Sequence, residues 1–278
     1  MVMLMDRHHA YGSRQDLPTH ITPLNIPVLD YAAGWIAIDK PAGHSVHNDS
    51  GSDLRSRMAS FFSSHPDAAQ AVRFDPEFGI HPLHRLDKAT SGVMLLACQR
   101  QLFLSLARLF SERKIAKRYL AVVHGHLATP RGGKWALWKW PLSQKAGGRR
   151  SPAGPPPRQN CRTRYRVKSH TPQYTIIECE PFTGRTHQIR RHVKMAGHTI
   201  LGDRRYGTLR AARYLEEQHG FTRLALHAQS LTFRCPVQKI DRTLHSAGLP
   251  SEIQALVNRD IQPEMEYKKD APHSSITP

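Results

Sequence analysis

From Ile26 onward, apolar residues fall into short runs whose period switches between two and about 3.6, and each switch marks a change of element. In GWIAIDKPAG, Trp35, Ile36 and Ile38 form a short strand closed by a turn at Pro41 and Gly43. GSDLRSRMASFF follows with helical spacing and Ser52 or Asp53 at its N-cap. SGVMLLAC, beginning at Ser91, is nearly all apolar and of strand length, as a buried strand would be. In QRQLFLSLARLFSERK, Leu102, Phe103, Leu106, Leu109 and Phe110 share one helical face, with Arg and Glu opposite. KRYLAVVHGHL and LALHAQSLTF read as strands, and YTIIECE (Tyr174 to Glu180) alternates as one. THQIRRHVKMAG reads as a short helix with Thr186 at its N-cap, Ile189, Val193 and Ala196 on one face, and Gly197 at its stop.

Strands and helices alternate irregularly, with no internal repeat and no succession of βαβ units. The predicted class is therefore α+β, with a mixed, largely antiparallel sheet and flanking helices. One domain is expected over residues 23–260, after a poorly ordered lead-in (1–22) and before a disordered tail (261–278). Residues 129–160 concentrate the turn formers (PRGG, KAGGRRSPAGPPP) and read as a basic insert. Its WALWKWPL is either an edge strand packed by its tryptophans or a surface on which bases stack.

Charge changes this picture. Forty Lys and Arg stand against 22 Asp and Glu, a net +18. From Arg113 to Ile177 there are 15 basic residues and no acid, which calls for a polyanionic partner. Nucleic acid suits it better than a membrane surface, because no basic amphipathic helix accompanies the charge. No run is long enough to span a bilayer, and the first residues carry no signal-peptide pattern. Four scattered cysteines without a CxxC pair argue against a zinc ribbon or disulfide framework and for a reducing, cytoplasmic setting. His44/His47 and His81/His84 are paired at close spacing but lack a third ligand, so no metal is expected. Gly-rich phosphate loops are missing, so no nucleotide cofactor is expected either.

Two segments stand out chemically. HRLDKATSG (His84 to Gly92) places Asp87 two residues after Arg85 in a loop at the start of a strand. GRTHQIRRHVKMAGHTILGDRRYG (Gly184 to Gly207) gathers Arg185, Arg190 and Arg191 at or near a helix N-terminus, where the backbone dipole also favours anions. An isolated Arg-x-Asp is ordinarily a salt-bridged turn. Two such segments could instead wall one RNA-binding cleft. The residues alone lead to a polyanion-binding domain, with catalysis left open.

HPLHRLDKATSGVMLLA, KRYLAVVHG and the Gly184–Gly207 segment resemble the three signature segments of the RluA-type RNA pseudouridine synthases, and IAIDKPAGHSVH resembles that family's lead-in strand and turn. The likeness runs from about Val28 to Val237. It implies the pseudouridine synthase fold with a central basic catalytic cleft, no cofactor, an RNA substrate (rRNA or tRNA) and action as a monomer. By resemblance, Asp87 is the essential aspartate acting on the ribose–uracil linkage. Arg85 fills the place vacated by the flipped base, Tyr119 lies against the target base, Ile189 lines the pocket, and Arg190 pairs with Asp87. Arg185 and Arg191, with Arg149, Arg150 and Arg158 of the insert, are expected to contact RNA. The doubled arginine, Arg190–Arg191, is shared with the tRNA position-65 branch and tilts the substrate towards tRNA. Few residues precede the resemblance, so no S4-like RNA-binding domain is expected in front of it. Two rivals stay open: a non-catalytic RNA-binding protein on the same fold, and a base-excising glycosidase, which would want a second carboxylate.

Overall fold

The computed structural model describes residues 25–47, 49 and 51–261. The expected lead-in and residues 262–278 of the expected tail lie outside the described residues. The first half of the chain lays down β1 (Val28–Ala32), β2 (Trp35–Lys40), α1 (Leu54–Ser64), α2 (Pro66–Ala71), β3 (His81–Pro82), β4 (Ser91–Ala97) and α3 (Arg100–Ser111). Asp53 caps α1, its side chain accepting from the Ser56 amide at 2.9 Å. β2 pairs antiparallel with β4, Trp35 opposite Ala97 through Lys40 opposite Gly92. All seven residues of β4 are buried because both faces are covered. Ile36, Ile38, Met94 and Leu96 face α1 and α2, while Trp35, Ala37, Val93 and Leu95 face α3. A strand covered on both sides needs apolar residues at every position, and that is the sequence of SGVMLLA.

The second half supplies β5 (Ala116–His124), β6 (Ala136–Trp138), the short pair β7 (Leu142–Ser143) and β8 (Arg158–Gln159), β9 (Thr163–His170), β10 (Tyr174–Pro181), α4 (Gln188–Met195), α5 (Leu209–His219), β11 (Leu226–Arg234), β12 (Asp241–His245) and α6 (Ser251–Ile261). The main sheet runs β1-β2-β4-β11-β5-β10-β9-β6, with β12 on β11 and β3 on β4. Its pairings are antiparallel except one, the short parallel join of β4 to β11 at Ser91–His227 and Gly92–Ala228. Here the backbones approach so closely that a Cβ on Gly92 would lie 2.2 Å from the Ala228 carbonyl oxygen, and Gly92 holds φ +114°. The α+β expectation is met.

Three local expectations change. β10 is buried along its whole length although its sequence alternates, because Arg166 and Arg164 of β9 cover the acidic face through Glu178 and Glu180, at 2.6 and 2.7 Å. α4 is not capped by Thr186. Its N-cap is His187 in a left-handed conformation (φ +55°), and no side chain caps the helix. Ile261, assigned to the tail, ends α6, whose Ile253, Leu256 and Val257 are buried in the core of the second half. In the insert, Trp138 is buried and stacked on Tyr165 at 4.0 Å, so this tryptophan packs the sheet edge.

Candidate active site

Asp87 lies in the loop between β3 and β4, close to the parallel join, where the halves of the sheet meet. A cavity of about 310 Å³ opens there. Its walls come from the Leu83–Thr90 loop, the end of α3, the start of β5, the β10–α4 loop and the first turn of α4. Among the described residues lining it, Asp87 is the one carboxylate.

The cavity's polar side is organised around Arg190. Its Nη1 donates to Asp87 Oδ2 at 3.1 Å, while Nε and Nη2 donate to the two oxygens of Asp203 at 2.8 and 2.9 Å. This two-pronged geometry fixes the guanidinium plane and aims its remaining edge at Asp87. Burial opposes the charge on Arg190, but the bonds to Asp203 and the charge of Asp87 outweigh it and hold the pKa above its usual range. Burial likewise opposes ionisation of Asp203, yet Arg190 and the amides of Tyr206 and Arg205 draw its pKa below the ordinary carboxylate value. His187 Nε2 stands 3.8 Å from Asp87 Oδ2, and its Nδ1 is 3.0 Å from the Tyr206 hydroxyl. Burial, with Arg190 and Arg205 nearby, lowers the His187 pKa despite Asp87. Tyr119, half-buried on β5, has its phenol pushed up by burial and by the charge of Asp87, so it keeps its proton.

Behind the Asp87 loop, Lys40 is wholly buried. Its Nζ donates to the carbonyls of Pro41, His44 and Lys88 at 2.9, 3.1 and 3.3 Å. The Gly43 amide reaches the same Lys88 carbonyl at 2.8 Å. The turn after β2 is thereby laced to the residue following Asp87. Burial lowers the Lys40 pKa to about 8, with Asp87 opposing and Arg223 assisting.

Asp87, Tyr119 and the adjacent Ile189 and Arg190, from three distant stretches of the chain, all line this cavity, with Arg85 exposed at its rim and Arg185 in its wall. Arg149, Arg150 and Arg158 are exposed in the insert and do not line it. Arg191 is a correction. It is fully buried, and its guanidinium donates to the carbonyls of Ser143, Pro152, Ala153 and Thr186, so it fastens the insert to α4 and is not open to RNA. Asp203, His187, Tyr206 and Lys40 were not singled out from the sequence. Asp203 carried a usable signal, being the sole acid between Glu180 and Glu216 in a strongly basic segment.

The family model described as RNA pseudouridylate synthase matches residues 34–195, more than half of the chain. The chain belongs to that family. This pseudouridylate synthase family member is 34% identical over 235 residues to the tRNA pseudouridine synthase C of Haemophilus ducreyi, covering 81% of this chain and 91% of that protein. It is also 34% identical over 248 residues to the ribosomal large subunit pseudouridine synthase D of Xanthomonas campestris, covering 86% and 71%. In fold it resembles human RNA pseudouridylate synthase domain containing 4, with a TM-score of 0.64 at 23% identity over 84% of this chain and 92% of that one.

Proposed function

We propose that this synthase-family chain isomerises specific uridines of structured RNA, in rRNA or tRNA, to pseudouridine. One observation carries the reading: a single carboxylate, aimed by a buried arginine, in a basic cavity that a pyrimidine nucleoside would fill. The reaction breaks the N1–C1′ bond, turns the uracil and rejoins it to C1′ through C5. Nothing is oxidised and no group is gained, so a carboxylate next to the ribose is sufficient and neither nucleotide cofactor nor metal is required. A glycosidase would want a second carboxylate to place water, and among the described residues no other lines the cavity. Pulling the base from its stack costs a few kcal/mol, which Arg85 at the rim and the basic walls offset. The chain is proposed to act as a monomer in the cytoplasm, as one domain from residue 23 through α6, with the site roles given above apart from that of the buried Arg191.

The test is a pseudouridine map of cellular RNA without the gene, complemented by wild type or by Asp87→Ala. Wild type should restore one or a few sites, whose positions identify the RNA, and Asp87→Ala should restore none. Equal restoration by both would end the assignment of Asp87.

A further inference from the structure

Beside the Asp87 cavity runs a second, open groove of about 540 Å³, and the two share Phe110, Lys117, Pro181, Thr183, Gly184 and Arg185. Its walls are cationic: Arg113 and Lys114 from the turn after α3, Lys117 from β5, Arg162 before β9, and Arg185 from the β10–α4 loop. The one acid among the described residues lining it, Glu180, is buried and already held by Arg164 at 2.7 Å. Lys114 pairs with Glu112 at 2.7 Å. Among the described residues, Arg113, Lys117, Arg162 and Arg185 have no carboxylate within 4.0 Å. The Arg185 Nε, in the wall common to both spaces, is buried and finds no acceptor. Cationic groups this concentrated and uncompensated would repel one another unless an anion occupies the groove.

Covalent continuity limits what that anion is. A nucleotide flipped into the cavity stays joined to its neighbours, so their phosphates must cross the rim. We propose that this groove carries the single-stranded segment adjoining the target uridine, with its phosphates on Arg113 and Arg162. The proposal rests on the synthase reading and adds a direction to it: the strand leaves between α3 and the β10–α4 loop.

The experiment measures binding of fluorescein-labelled decauridylate by anisotropy between about 50 and 200 mM salt, each phosphate contact contributing about 0.7 to the log–log slope. The groove variant is Arg113→Asn/Arg162→Gln. Both side chains are exposed, and asparagine tolerates the left-handed backbone at Arg113 (φ +58°). The control, Arg204→Gln/Arg213→Gln, removes the same charge from residues paired with Glu216 and Glu217. The groove variant should bind about tenfold more weakly at the low-salt end with a slope shallower by about 1.4, and each single substitution should give half that slope change. Identical behaviour of groove and control variants would overturn the proposal. The pseudouridine map is read separately. Groove-dependent binding without any pseudouridine product would sink the reaction and leave the groove, and the reverse result would remove the groove alone.

Discussion

Asp87 and Asp203 share one guanidinium, and that sharing separates two effects that a single substitution would mix. Asp203 bonds Arg190 through both oxygens and also accepts the Arg205 and Tyr206 amides at 3.0 Å each. Asp203→Asn keeps its shape but removes the charge that orients Arg190. A lost charge-assisted bond of about 1.5–3 kcal/mol corresponds to a fall of roughly 10- to 160-fold in the single-turnover rate of pseudouridine formation. Asp203→Ala leaves Arg190 buried with Asp87 alone, and urea titration should show about 3–5 kcal/mol lost. A rate for Asp203→Asn equal to wild type would mean that Arg190 is aimed by something else. At this scale Asp87 and Arg190, which the fold brings to one cavity, were legible in the sequence because both sit in distinctive segments. Lys40 was not legible, because it works through carbonyls brought near by folding, and Asp203, although it stands out as an acid in a basic segment, could be paired with Arg190 only through the fold.

α4 shows how one short element serves two tasks. Consecutive helical residues are turned by about 100°, so Arg190 points into the cavity while Arg191 points away and grips the insert at Ser143, Pro152 and Ala153. Arg205 adds a second tie to the Gly147 carbonyl at 3.0 Å. Composition marks residues 129–160 as a basic, turn-rich insert, since Gly and Pro signal turns and say nothing of tethers. The elements with strong periodicity, α3 and β4, were legible. The burial of β10 was not, since arginines from another strand provide it. Arg191→Ala should cost about 3 kcal/mol or more, leaving several carbonyls without donors. Limited tryptic digestion should then cut faster at Lys145, Arg149, Arg150 or Arg158. Unaltered digestion would show that the insert is held without Arg191. Arg149→Gln/Arg150→Gln, at exposed sites, should stay within about 0.5 kcal/mol of wild type.

Across the whole molecule, the buried histidines set an acid limit. Burial lowers His84 to about 3 and His192 and His227 to about 4. In the unfolded chain all three would titrate near 6.5. Between about pH 6.5 and 4 the unfolded state therefore binds more protons, and stability falls as pH falls. At pH 5 each should cost on the order of 1–2 kcal/mol. Urea midpoints at pH 7.5 and pH 5 test this. A midpoint that does not fall would mean that these rings take up protons without unfolding.

The parallel join at Gly92 and Ala228 has a consequence for how the gene could be divided. Among the described residues, every strand on one side of it, β1 to β4, is encoded before Ser111, and every strand on the other side from Ala116 onward. Asp87 belongs to the first portion, and Tyr119, Ile189, Arg190 and Asp203 to the second. Two polypeptides, 1–112 and 113–278, would each lack half of the chemistry. Coexpressed, they should recover product only on docking along that seam, which would make RNA modification itself a reporter of their assembly.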